Sequence, residues 1–275
     1  MINLPKEPLY KHNQSIVKLY GTESNGYCIK IVTMNTLRTA GLVDVPATYT
    51  EKCTANEEKL ACNVARARNK IFELSFCNDW DYFFTGTISP EKYDRTDLEK
   101  FVKDFTHFVR NQSTKYGDKI RYLIIPELHA DGKSWHIHGL LSGVPADSLR
   151  QYRVGDSMGK ALAEKVVSGD TVYSWLPYAK KFGFCDLEAV KSAEAVSKYV
   201  TKYISKDLAR SVTEVGAHLY YRSQGLNEAQ TIKKGLMLAD IKPDFVGQYC
   251  SITDLPYTPE VIAYLCENIS TDSIT

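Results

Sequence analysis

The chain has 275 residues, of which 44% are hydrophobic and 24% charged, with a formal net charge of +1. These values fit a folded chain with a sizeable core and exclude collagenous, disulfide-rich and largely disordered classes. No apolar run approaches the roughly 18–20 residues of a membrane span. No membrane association is expected.

The first 25 residues carry Lys6, Glu7, Lys11 and Lys18 with no apolar stretch, so a secretory leader is not expected. Seven cysteines, none in a CxxC pair, argue for free thiols in a reducing, cytoplasmic setting and against a zinc ribbon. The small net charge hides an uneven distribution. Residues 236–275 hold one Lys against six acidic residues, leaving 33 basic and 27 acidic residues in the rest. Residues 176–235 hold ten basic and six acidic residues. A basic body with an acidic C-terminal tail suits a nucleic-acid binder.

In chain order, Ser15–Tyr20 and Tyr27–Met34 read as strands joined by a Gly21–Gly26 hairpin signal. Thr54 and Glu57 form a capping box that opens a helix running to about Leu74. Tyr82–Ser89 reads as a strand stopped by Pro90. Leu98, Phe101, Phe105, Phe108 and Val109 mark a helix over Asp97–Tyr116. Arg121–Glu127 and Ser134–Ser142 read as strands about an Asp131-Gly132 turn, and strands joined so tightly must be antiparallel. Leu149–Val167 reads as helix, Thr171–Trp175 and Phe182–Val190 as extended, and Ser192–Arg210 as one continuous helix. The expectation is an α+β fold: a central antiparallel sheet with helices on one face. The expected division is an N-terminal hairpin-and-helix elaboration over 1–79, a main domain over 80–235 and an acidic tail over 236–275.

Three clusters can carry chemistry. The first is Trp135-His136-Ile137-His138-Gly139. Alternation on a strand puts His136 and His138 on one face about 7 Å apart. Antiparallel pairing about the preceding turn brings Glu127 towards them, with His129, of the same parity, as a substitute. Two imidazoles and a carboxylate suit a divalent metal such as Mg²⁺ or Mn²⁺ with positions left open. The second cluster is Tyr199-Val-Thr-Lys202-Tyr203-Ile-Ser-Lys206. At 100° per residue, Val196, Val200, Ile204 and Leu208 form a buried stripe, flanked by two tyrosines one turn apart and by two lysines. The third, Phe83-Phe84-Thr85-Gly86-Thr87-Ile88-Ser89-Pro90, alternates aromatic and small residues as a half-buried strand does. Gly155-Asp-Ser-Met-Gly159-Lys160-Ala161 is not a phosphate-binding loop, because one spacer residue and the magnesium-binding Ser or Thr are missing.

Taken in order, FFTGTISP, WHIHGLL and YVTKYISKD resemble the motifs of the HUH endonuclease superfamily, in particular rolling-circle replication initiator (Rep) proteins of phages and plasmids that carry two tyrosines in a YxxKYxxK arrangement. The resemblance covers about residues 80–210. Gly86 stands where relatives usually carry a larger apolar residue. The resemblance implies a metal-dependent DNA nicking endonuclease and strand transferase. Tyr199 and Tyr203 would be the nucleophiles, forming a 5′-phosphotyrosine link and a free 3′-OH, and His136, His138 and Glu127 the metal ligands. Lys202 and Lys206 would lower a phenol's pKa or hold phosphate. A tyrosine with a pKa near 10 is ionised at about one part in a thousand at pH 7, a deficit of about 4 kcal/mol. Thr85, Thr87, Lys180, Lys181 and Arg222 are candidate DNA contacts. Expected partners are single-stranded or hairpin origin DNA together with a host helicase and polymerase. A relaxase or transposase with the same chemistry and a non-catalytic origin-binding protein are the alternatives. A non-haem iron oxygenase lacks the His-x-carboxylate pair it would need.

Overall fold

A computed structural model gives the fold and describes residues 14–34, 57–214, 216–247 and 250–270. In chain order the elements are β1 (Gln14–Thr22), β2 (Gly26–Met34), α1 (Glu57–Phe76), β3 (Tyr82–Thr87), α2 (Leu98–Tyr116), β4 (Arg121–Leu128) and β5 (Trp135–Ser142). Next come β6 (Leu149–Gln151), α3 (Lys160–Val167), β7 (Val172–Trp175), α4 (Leu176–Lys181), β8 (Cys185–Ala189), α5 (Ala193–Thr201) and α6 (Lys206–Glu214). The chain finishes with β9 (Tyr221–Arg222), β10 (Gln230–Met237), β11 (Phe245–Val246), β12 (Cys250–Pro256), α7 (Pro259–Asn268) and β13 (Ile269–Ser270). The fold is α+β, with two antiparallel sheets. No helix among the described residues is long and apolar enough to cross a membrane. Thr54, half of the expected capping box, lies outside the described residues.

The elements divide into two compact units, one drawn from residues 1–50 and 228–275, the other from 51–227. In the first unit the strand order is β11-β12-β2-β1-β10-β13. Val17, Ile29, Ile31, Leu265 and Ile269 form its core. This differs from the expected three segments for a non-local reason. β10 pairs with β1 (Gln14 opposite Leu236) and β12 with β2 (Cys250 opposite Met34), so the expected tail closes on the N-terminal hairpin. Its acid is partly used in doing so, since Asp254 meets Lys30 at 2.7 Å.

The second unit is built on the sheet β6-β7-β8-β3-β5-β4-β9. Helices cover both faces, where one was expected. On one face α2 presents Leu98, Phe101, Phe105 and Phe108, with Phe105 edge-on to Tyr122 of β4 and Phe108 against Trp175 of β7. Asp97 caps the α2 N-terminus by accepting from the Lys100 amide at 2.9 Å, and Gly117 ends the helix in the left-handed region. α4 fills the same face through the fully buried Tyr178, edge-on to Phe84. On the other face lie α1, α5 and α6. α1 buries Leu60, Val64, Ala67, Ile71 and Leu74 at helical spacing, and Arg68 Nε donates to the Ile204 carbonyl at 2.9 Å.

Three expected elements change. The Leu149–Val167 helix becomes β6, a turn and α3. Gly155 at φ 96° and the Asp156 carboxylate, which accepts from the Arg153 amide, favour the turn over a helix. Within the stretch read as extended, Phe182 is the cap of α4, a helix whose one sequence signal is Pro177 at its start. The Ser192–Arg210 helix breaks at 202–205. Lys202, Tyr203 and Ile204 make i→i−3 bonds, and the Ser205 hydroxyl accepts from the Leu208 amide at 3.0 Å, capping a new helix.

Two glycines fix how closely the strands and α4 approach. A Cβ on Gly139 would stand 2.1 Å from the Leu123 carbonyl oxygen, and one on Gly86 would stand 2.6 Å from the Tyr178 hydroxyl and 2.8 Å from Ile137. Tyr178 therefore occupies the volume that a larger residue at 86 would take. Gly139→Ala and Gly86→Ala should each destabilise the fold by about 1–3 kcal/mol through overpacking. Tyr178→Phe should be neutral or stabilising, because its buried hydroxyl has no hydrogen-bond partner. Denaturant midpoints of the three variants check both statements.

Candidate active site

Register builds the site. β5 lies between β4 and β3, and directly opposed residues share a face. Glu127 is opposite His136, which is opposite Thr87; in the next row Ile125, His138, Thr85 and Asp186 run across four strands. Glu127, His136, His138, Thr85, Thr87 and Asp186 therefore project from one face, as expected for the first five. The turn between β4 and β5 is held by the Asp131 carboxylate, which accepts from the Lys133 and Ser134 amides and from the Ser134 hydroxyl at 2.6–2.9 Å. These hydrogen bonds keep its carboxyl well below the usual range.

His138 is buried and lies at the centre. Its Nε2 is 2.6 Å from Glu127 Oε2, and its Nδ1 is 3.4 Å from the Thr85 hydroxyl. Burial holds its pKa below the usual histidine value, against the opposing pull of Glu127. His136 is also held low, by burial and by the nearby His129, whose ring stacks on it at 5.0 Å. Both imidazoles are thus biased to the neutral form, the form that binds a metal. Among the described residues, no three His, Cys, Asp or Glu groups stand at metal-binding spacing. The donor set fits a divalent ion in chemistry: two neutral imidazoles and a carboxylate on adjacent rows of one sheet face. The short Glu127–His138 contact must open to admit it.

The tyrosines close over this row from the helical side. Tyr203 falls in the break between α5 and α6 and stacks on the His138 ring at 4.1 Å, interplanar angle 12°. Tyr199, in the last turns of α5, is 43% exposed and edge-on to Phe83 at 5.1 Å. The two hydroxyls are 3.2 Å apart, with Tyr203 donating to Tyr199. The Lys202 ammonium sits 3.4 Å from the Tyr199 ring centroid and 5.0 Å from that of Tyr203. Burial alone would raise the Tyr199 pKa, but Lys202 and the hydrogen bond from Tyr203 outweigh it and pull it below the usual phenol value. Tyr203 is pushed the other way, by burial and by Tyr199. A cavity of about 720 Å³ opens beside them, lined by Glu127, His138, Lys202, Tyr203, Asp207 and Ser211.

The other sequence candidates fall elsewhere. Lys206 begins α6, but its side chain lies outside the described residues. Lys180 and Lys181 are on α4, against the opposite sheet face, where Lys181 Nζ lies over the Phe108 and Phe182 rings. Arg222 is on the edge strand β9, remote in register from the histidine row. Sequence reading missed Asp186, which joins the site only through the β8–β3 pairing. Its one local signal is the alternation Cys185-Asp-Leu-Glu-Ala189, which puts two acids on one face of a short strand.

Residues 81–208 match the family of the replication-associated protein ORF2. This match supports a rolling-circle replication initiator family. It spans β3 to the start of α6, the stretch that carries the histidine row and both tyrosines. No curated protein and no solved structure matches the chain.

Asp186 offers a direct test of the site's electrostatics. Burial and the neighbouring Glu188 raise its pKa to about 6, against the opposing pulls of Lys165 and Thr85. A carboxyl raised on folding holds its proton more tightly in the folded state. Ionised Asp186 therefore costs stability above about pH 6, and the cost disappears as pH falls below about 4. Asp186→Asn should stabilise the protein by about 1–3 kcal/mol at pH 7.5 and have no effect at pH 4. Thermal melts of both proteins at the two pH values decide it.

Proposed function

We propose that the protein is a replication initiator that nicks single-stranded DNA with Tyr199 as first nucleophile and Tyr203 as second. The observation that carries this reading is the pair of phenol oxygens 3.2 Å apart above the Glu127–His138 row. One phosphate placed there is within reach of either oxygen.

In the first step the Tyr199 oxygen attacks the scissile phosphorus, the phosphorus–O3′ bond breaks, and the departing 3′ oxygen takes a proton to leave a free 3′-OH. The product is a phosphotyrosine carrying the 5′ side. Lys202 stabilises the phenolate, and Tyr203, held protonated, donates a hydrogen bond to it. Phe83 and His138 keep both rings in place through stacked and edge contacts. A divalent ion bound by Glu127, His136 and His138 would polarise the phosphate and neutralise charge as it develops. The free 3′-OH serves a polymerase as primer. In the second step Tyr203 cuts the regenerated site, and the new 3′-OH attacks the Tyr199 phosphotyrosine, rejoining a strand and restoring the phenol. Each step exchanges one phosphoester for another, so no nucleotide triphosphate is needed.

Three experiments test this reading. His136→Ala and His138→Ala should each abolish nicking of a labelled single-stranded origin oligonucleotide in Mn²⁺, and full activity of either in EDTA refutes the metal role. Each single Tyr→Phe variant should still form a covalent adduct, Tyr199→Phe more slowly. Only the double variant should be inert, with adduct mapping by mass spectrometry as the readout. Removing a group that lowers a phenol's pKa moves the rate profile to higher pH. Lys202→Met should therefore nick about tenfold more slowly at pH 7, with the deficit closing as pH nears 10.

A further inference from the structure

α6 separates two clefts. Asp207, Leu208 and Ser211 line the catalytic cavity, while Ala209, Val212 and Thr213 line a second one, of about 610 Å³, on the other side. The second cleft runs between α1, α6 and the segment entering β9. Its polar and aromatic lining comes from Arg66, Lys70, His218, Tyr220, Tyr221 and Arg222, and no Asp or Glu lines it. Arg66 and Arg222 are exposed; Lys70 is bonded to Glu73 at 2.9 Å, so its charge is partly spent. Most of this lining lies outside the stretch 81–208 that matches the initiator family.

We infer that this groove is a second, non-catalytic binding site for single-stranded DNA, gripping nucleotides of the strand that continues from the nick across α6. The inference rests on the nicking reading for the identity of the strand. A groove with cations but no acids, set beside tyrosine and histidine rings, has the chemistry that holds a single strand: phosphates against the charges and bases against the rings. An acidic peptide would use the cations but not the rings. A helix is about 10 Å across, a span that a short run of nucleotides bridges. The groove thus keeps the flanking DNA on the protein while the phosphodiester in the first cleft is opened and rejoined.

The test uses the full chain and fluorescein-labelled oligo(dT) of 8 and 24 nucleotides. The variants are Arg66→Ala/Arg222→Ala and the charge-preserving Arg66→Lys/Arg222→Lys. Binding is read by anisotropy across a salt series. Two lost phosphate contacts should lower the slope of log K against log salt by about 1.4 and weaken 24-mer binding about tenfold at moderate salt. The lysine variant should keep the wild-type slope. The 8-mer, which fills one cleft only, should be affected less than the 24-mer. Thermal melts matching the wild type show that the exposed substitutions leave the fold intact. An unchanged 24-mer slope in the alanine variant overturns the inference, as does a 24-base-pair duplex binding more tightly than the 24-mer with the same dependence on Arg66 and Arg222. A nicking assay in Mn²⁺ on the same proteins separates the two readings. A wild type that never cuts, yet shows the arginine-dependent slope, refutes the nicking reading and leaves a single-strand anchor; a wild type that cuts, with an unaltered slope in the variant, refutes the groove alone.

Discussion

The register between β4 and β5 is the constraint on which the site depends. Because side chains alternate along a strand, a one-residue slip would turn Glu127 to the opposite face from His136 and His138. Two features hold the register. The Asp131 turn fixes the length of the connection through three hydrogen bonds. Gly139 lets β5 approach β4 so closely that its missing side chain leaves room only for the Leu123 carbonyl. β3 then extends the same rows, so Thr85 and Thr87 face the histidines by pairing rather than by proximity in sequence.

The break between α5 and α6 does the corresponding work on the helical side. In an unbroken helix, Tyr199 and Tyr203 would overlie each other one turn apart, and both would depend on the tilt of one axis. The break sets Tyr203 in a tight turn with its ring flat on His138, while Tyr199 stays on the helix with its hydroxyl in reach. The two phenols therefore have unlike environments. One is partly exposed and carries an ammonium against its ring; the other is more buried and donates the bond between them. Two chemically equal residues become unequal nucleophiles through burial and one lysine. The same break starts α6, which then divides the catalytic cavity from the basic groove.

Much of this was legible in the sequence because its signals are local. His136 and His138 share a face because they are two apart on a strand, and Glu127 follows from a short turn that forces antiparallel pairing. The Val200, Ile204 and Leu208 stripe is buried as its spacing requires, even though the helix that would carry it is broken. The hairpin of β1 and β2 and the Phe-rich face of α2 were likewise readable, from turn residues and periodicity.

The sequence by itself determined the element types, the motif residues and the strand face that carries the histidines, since each rests on a period of 2 or 3.6 residues. Tertiary structure alone decided where the C-terminal strands go, that α4 and α2 seal the far side of the sheet and carry Lys180 and Lys181 away from the site, and that Asp186 joins it. It also decided the fate of the Ser192–Arg210 segment, where a serine cap and a bond from Arg68 to the Ile204 carbonyl outweigh modest helix propensity. The reason is common to all of these: pairings between residues far apart in the chain depend on which surfaces are left to bury, and no local period records that.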